Sequence, residues 1–160
     1  MKIGVLFPSQ FEEPGEFYAD ARAMEAAGVD SVWMEDDGLG LDPLLALAAI
    51  GASAHQLRLG FIRSSSSVGN PEYERRILTL QRLTRQRTVV SVAQGASIIG
   101  GQERWRRVEV PADREAWAQI VERSEPGTDG VLVPMDPRLL DILRHPEEAI
   151  DRPDLQLAQG

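Results

Sequence analysis

The sequence predicts an α/β domain, an abbreviated TIM-type (β/α) barrel or partial barrel of about five to six mainly parallel strands. Three observations predict it. Short β-prone apolar runs alternate with helical stretches through most of the 160 residues, the pattern of right-handed βαβ crossovers in a parallel sheet. The runs are continuously apolar, as strands buried on both faces are. The stretch Gly28–Gly60 reads as one complete strand–helix–strand unit, ending its first strand in three consecutive carboxylates, Glu35, Asp36 and Asp37.

Lys2–Phe7 is the first strand, closed by Pro8, and residues 9–15 form a loop at its C-terminal end. Phe17, Ala21, Met24 and Ala27 recur at helical spacing over residues 16–27, and Gly28 is a natural stop. Ser31–Met34 is the second strand. Asp42 and Pro43 then read as N-cap and first residue of an almost wholly apolar helix, Leu44–Ala54. Leu57–Phe61 returns as the third strand, and the small polar run Arg63–Asn70 is a loop. Asn70 and Pro71 open an amphipathic helix to about Arg85, followed by a fourth strand, Thr88–Val92, which opens into a glycine-rich loop over residues 93–101. Arg106, Val108 and Val110 mark an edge strand or extended crossing. Asp113–Arg123 is a helix expected to bury Trp117, Ile120 and Val121. Gly130–Val133 is the last strand and Arg138–Leu143 the last helix. Residues 1–150 are read as one domain and 151–160 as a charged, proline-interrupted tail.

Composition narrows the function classes. A net charge of −8 argues against a general phosphate-backbone binder, despite the local cluster Arg104, Arg106 and Arg107. With no cysteine, disulfides and thiolate metal sites are excluded. No apolar run approaches the ~20 residues of a membrane span, and the N-terminus lacks the long apolar core of a secretory signal. The expectation is a soluble cytoplasmic protein with no nucleic-acid or membrane partner.

In parallel α/β folds, ligands bind beyond the C-terminal ends of the strands. Glu35, Asp36 and Asp37 could share protons, because close like charges raise a carboxylate's pKa, with Asp36 and Asp37 the candidate acid/base groups. A solvated loop with one side chain capping the turn is the competing reading. Oxygen ligands from one loop rarely complete a magnesium or calcium shell, so no metal is expected. After the third strand, Arg63, Ser64, Ser65 and Ser66 offer donors for a phosphate or a polar ring edge. After the fourth, Gln94, Gly95 and Ser97 allow close backbone approach. Trp33 is read as core, and Trp105, among arginines, as a cation–π partner or an exposed contact surface.

The order of MKIGVLFPSQ, ARAMEAAGVDSVWMEDD, DPLLALAAIGASAHQLRLG and NPEYERRILTLQRLTRQRTVVSVAQG resembles the N-terminal half of the bacterial luciferase-like flavin- or F420-dependent oxidoreductases. GTDGVLVPMDPRLLDIL resembles that family's final strand and helix. The resemblance implies a barrel binding FMN or F420 at its C-terminal face, with Phe7 joining Asp36, Arg63–Ser66 and Gln94–Ser97 at the cofactor and a small organic molecule as substrate. It also implies departures. A full barrel takes typically ~250 residues and eight strands, so the segment from Gly101 to Asp113 stands in for missing units. Where family members often carry histidine, this chain has Asp37 and Asn70. A sheet of five parallel strands would expose its edges, so either Arg104–Pro111 or a second copy, as a homodimer, is expected to complete it.

Overall fold

The computed structural model describes residues 1–64, 67–94, 97–123 and 125–143. In chain order the elements are β1 (Lys2–Leu6), α1 (Pro14–Ala26), β2 (Ser31–Glu35), α2 (Pro43–Ser53), β3 (Arg58–Arg63), α3 (Pro71–Leu83) and β4 (Thr88–Gln94). They continue with β5 (Ser97–Gly100), β6 (Glu103–Arg107), α4 (Arg114–Glu122), β7 (Gly130–Pro134) and α5 (Leu139–Leu143). The two helix starts read from sequence form as expected. Asp42 accepts hydrogen bonds from the Leu44 and Leu45 amides, and Asn70 from those of Glu72 and Tyr73, each with proline at the first helical turn.

The strands close into a seven-membered barrel in sequence order, with β7 pairing β1 in parallel. This corrects the expected five to six mainly parallel strands of a partial barrel. The added element is β5, which pairs antiparallel with both β4 and β6. A parallel connection needs a crossover of roughly a dozen residues or more. Reversing one strand replaces that crossover with turns, which is how a chain too short for eight βα units still closes its sheet. Sequence reasoning took Ser97–Gly100 for loop because a four-residue strand between glycines has no periodicity to read. The segment Arg104–Pro111 does complete the sheet, through Glu103–Arg107 pairing with β5 and β7, so no edge is left for a second copy to cover.

Strand alternation sorts side chains into two layers. Outward residues Val5, Val32, Met34, Leu59, Phe61 and Val133 pack under the helices, against Phe17, Met24, Leu47, Ile50, Ile77, Leu80 and Leu139. Inward residues Trp33, Ile62, Ile98, Trp105 and Leu132, with Leu6 and Val89, fill the barrel. Trp105 is thus fully buried, not an exposed surface. Its ring meets Trp33 edge-on at 5.0 Å, and Trp33 Nε1 donates to Ser31 Oγ at 2.8 Å. A seven-strand barrel has room for two indoles only if the facing strands give way. A Cβ on Gly60 would lie 1.9 Å from Trp33 Cδ2, and one on Gly130 2.4 Å from Trp105 Cζ3. The plugged middle separates the two mouths of the barrel.

The helix α4 differs from its sequence reading. None of its residues is buried, Trp117 and Ile120 are half-covered and Val121 is exposed, because α4 lies at the end of the helix layer with its main contacts to α5. Among the described residues no helix is long and apolar enough to cross a membrane.

Candidate functional site

The C-terminal mouth is built on the inward-facing ends of β1, β2, β6 and β7. Alternation carries Ser31 and Trp33 inward on β2 and therefore Glu35 as well. On β6 it carries Glu103, Trp105 and then Arg107. The two chain ends meet above the tryptophans, where Arg107 Nη2 donates to Glu35 Oε2 at 2.7 Å. Beside this pair, Leu6, Leu132, Pro134, Val108 and Glu109 join Arg107 around a cavity of about 280 Å³. The Nε atoms of Arg106 and Arg107 are buried without a hydrogen-bond partner. An unmet buried donor costs roughly 1–3 kcal/mol.

A second polar cluster lies on the outer rim, where β2 and β3 pass under α3. The Asn70 cap fixes the first turn of α3 and so presents Tyr73, whose hydroxyl donates to Asp36 Oδ2 at 2.6 Å. Ser64 Oγ reaches the same oxygen at 3.4 Å. Burial first, then the hydrogen bond and charge of Asp36, push the Tyr73 phenol up to about 12. Next to it, Arg63 donates to the Ser67 carbonyl at 2.6 Å and to Glu74 Oε1 at 2.8 Å. That guanidinium is 9% exposed and is largely committed to holding its own loop.

The three consecutive carboxylates therefore diverge. Glu35 turns into the mouth, Asp36 turns to Tyr73, and Asp37 accepts the Leu39 amide at 2.9 Å in an exposed turn. The hydrogen bonds from the Leu39 amide and the Ser9 side chain hold the Asp37 carboxyl below its usual range, which leaves it ionised. The three thus take their hydrogen bonds from three different partners, Arg107, Tyr73 and the Leu39 amide. Of the other expected residues, Phe7 is buried in the helix layer, edge-on to Phe17 at 5.5 Å. Gln94 and Ser97 are partners across β4 and β5, at the same end of the barrel as the mouth. Ser65, Ser66 and Gly95 lie outside the described residues. Among the described residues no group of three or more histidine, cysteine or carboxylate side chains is placed to hold a metal.

Glu35 was singled out with its two neighbours, and its inward direction follows from the Ser31, Trp33 alternation, while Tyr73 and Arg107 were missed. Arg107 was hidden because its direction depends on the register of β6 against β7.

At the opposite mouth the charged side chains pair with one another, beside a cavity of about 420 Å³ lined by Arg58, Val89, Gly100 and Glu103. Glu103 accepts both Arg58 guanidinium nitrogens, at 3.2 and 3.0 Å, and is also paired with Lys2. Burial raises the Glu103 pKa, but the hydrogen bonds from Lys2 and Arg58 outweigh it and leave the carboxyl below its ordinary value.

No protein-family description and no curated protein matches the sequence. Among solved structures, the chain is similar to the coenzyme F420-dependent tetrahydromethanopterin reductase of Methanopyrus kandleri. The TM-score is 0.49 at 14% identity, over 75% of this chain and 30% of that one. It is also similar to a riboflavin lyase holding modified FMN and its substrate riboflavin. There the TM-score is 0.45 at 22% identity, over 57% of this chain and 29% of that one. The chain spans less than a third of the length of either structure.

Proposed function

We propose that the chain is a luciferase-like flavin- or F420-dependent oxidoreductase, of monooxygenase or reductase type, that takes FMN or F420 and a small organic substrate at its C-terminal mouth. The observation that carries this reading is the contrast in that mouth: an apolar floor of Leu6, Leu132 and Pro134 beside a guanidinium held in place by Glu35. A flat, amphipathic ring with polar edges fits such a floor and such a donor. At about 280 Å³ the cavity lies just under the usual range of roughly 300–1,000 Å³ for ligand sites. It has room for a ring system, while a phosphorylated tail would run over the rim at Arg63 and Ser64 and at Gln94 and Ser97.

When bound, the cofactor supplies the redox chemistry. The protein's part is to bind, orient and handle protons. Leu6, Leu132 and Pro134 cover the ring face and keep water from it. Arg107 donates to a ring carbonyl. Asp36, held as an acceptor by the Tyr73 hydroxyl and Ser64, is the carboxylate that would take a proton from substrate, and Asp37 stands at the outer lip of the same loop. Phe7 supports this end of β1 from the helix layer. The chain is taken to work in the cytoplasm as a homodimer.

One observation favours a second reading, a non-catalytic relative that binds a cofactor or partner without turnover. Both positions where the resembling family often carries histidine do local backbone work here: Asn70 caps α3 and Asp37 closes its own turn. Titrating FMN and F420, oxidised and reduced, against the protein separates these outcomes. The proposal expects fluorescence quenching by one of them, with affinity reduced about tenfold or more in Arg107→Ala. Absence of binding in both redox states of both cofactors would sink it. Binding without substrate-dependent oxidation in any assay would leave the second reading standing.

A further inference from the structure

The barrel wall has a notch at its N-terminal end. β4 begins at Thr88, but β5 pairs with it only from Ser91 to Gln94, so Thr88, Val89 and Val90 have β3 on one side and no strand on the other. A cavity of about 420 Å³ opens there, with Arg58, Val89, Gly100, Gln102 and Glu103 in its wall. That volume falls within the roughly 300–1,000 Å³ of ligand sites.

Two features of this cavity are not used up by the fold. The first is a hydroxyl. Strand alternation turns Val89 and Ser91 into the barrel, and both meet the inner face of Gly100, where a Cβ would strike Ser91 Oγ. Ser91 is 1% exposed and its Oγ has no hydrogen-bond partner, whereas buried hydroxyls are ordinarily bonded. The second is charge. Lys2 and Arg58 both pair with Glu103, and among the described residues Glu103 is the only carboxylate in the cavity wall. It meets Nη1 and Nη2 of Arg58 and the Lys2 ammonium, which leaves further donors on both cations.

We infer that this notch is a second ligand site, for a short hydroxy acid whose carboxylate is taken by Arg58, with Lys2 adding positive charge, and whose hydroxyl bonds Ser91. The spacing sets the length of the acid. Gly100 pairs with Ser91 on one side and Glu103 on the other, so the two polar ends stand two strand spacings, roughly 10 Å, apart. A hydrogen bond of about 2.9 Å at each end leaves roughly 4 Å between carboxylate and hydroxyl oxygens. A four-carbon acid with its hydroxyl at the far end has that reach, and its methylenes lie on Val89. The tryptophan plug keeps this site apart from the C-terminal mouth.

The test compares 4-hydroxybutyrate with butyrate, which differ only in the hydroxyl, by NMR titration of the wild-type chain against sodium chloride at matched ionic strength. Saturable shifts at Val89, Gly100 and Gln102 are expected with 4-hydroxybutyrate, butyrate binding about tenfold more weakly and chloride leaving these amides unmoved. Ser91→Ala, which touches no charge, is expected to bring 4-hydroxybutyrate down to the affinity of butyrate and leave butyrate unchanged. Arg58→Gln is expected to abolish binding of both acids. No saturable shift with either acid, the same shifts with chloride, or a Ser91→Ala variant that weakens both acids alike or neither would overturn the inference. None of these outcomes bears on flavin or F420 binding, which the fluorescence titration reads separately.

Discussion

The two mouths of this barrel are made from the same strands and solve opposite problems. At the N-terminal mouth, Lys2, Arg58 and Glu103 stand two residues before Gly4, Gly60 and Trp105 on their strands, and their charges meet one another. At the C-terminal mouth, Leu6, Glu35, Arg107 and Pro134 stand two residues beyond Gly4, Trp33, Trp105 and Leu132. There the Glu35–Arg107 pair forms, the remaining residues around the cavity are apolar apart from Glu109, and the Arg107 Nε donor is unmet. The first arrangement spends its charges on one another, beside a cavity of about 420 Å³ lined by Arg58 and Glu103. The second leaves an apolar floor and an incompletely bonded guanidinium beside its cavity, the combination on which the proposed ligand site rests.

Between the mouths lies the tryptophan plug, and breaking it should damage both. Gly60→Ala places a methyl where Trp33 stands, so stability should fall by about 1–3 kcal/mol in denaturant unfolding. Arg107→Ala should separate the mouths. Ligand affinity should drop roughly tenfold, equivalent to about 1.4 kcal/mol, with little change in the unfolding midpoint.

Glu103→Gln should do the reverse, costing on the order of 1 kcal/mol because the three groups are partly exposed, with ligand affinity unchanged. The sign of its pH dependence follows from the direction of the shift. A carboxyl held below its ordinary value of 4.5 stabilises the fold above that pH, and the contribution is lost as the solution is acidified below it. The wild type should show this acid slope in unfolding curves, and Glu103→Gln should show less of it.

Tyr73→Phe should cost up to about 1 kcal/mol through the lost bond to Asp36. Because the phenol titrates near 12 in the folded chain and 10 ordinarily, its stabilisation is present below pH 10 and is lost as pH rises through 12. The variant should lack that alkaline loss. Asp37→Asn, in an exposed turn, should change stability by less than about 0.5 kcal/mol.

The divide between what the sequence revealed and what it hid follows the range of the interactions. Asp42 and Asn70 could be read as caps because a cap bonds amides two or three residues away. The apolar runs of β1 to β4 and β7 could be read because burial on both faces leaves a composition signal. β5 could not, since a four-residue strand held by two neighbours takes its identity from pairing and not from pattern. Closure of the barrel was hidden with it. The site followed the same rule. Asp36 and Ser64 were legible as residues after strand ends, and they do share a cluster. Tyr73 reaches Asp36 from a helix whose cap is local but whose rotation is set by packing, and Arg107 meets Glu35 from a strand that runs over Glu103–Arg107 and not over Arg106 to Val110. The tryptophans were visible in composition, yet only the glycines opposite them, Gly60 and Gly130, explain how both fit inside.

The central claim is that the C-terminal mouth is the ligand end. An NMR titration of backbone amides with FMN and with F420 tests it most directly. The account predicts that shift changes gather at Leu6, Glu35, Arg107 and Leu132, with Lys2, Arg58 and Glu103 unmoved. Changes centred on Lys2, Arg58 and Glu103, or none with either cofactor in either redox state, would contradict it.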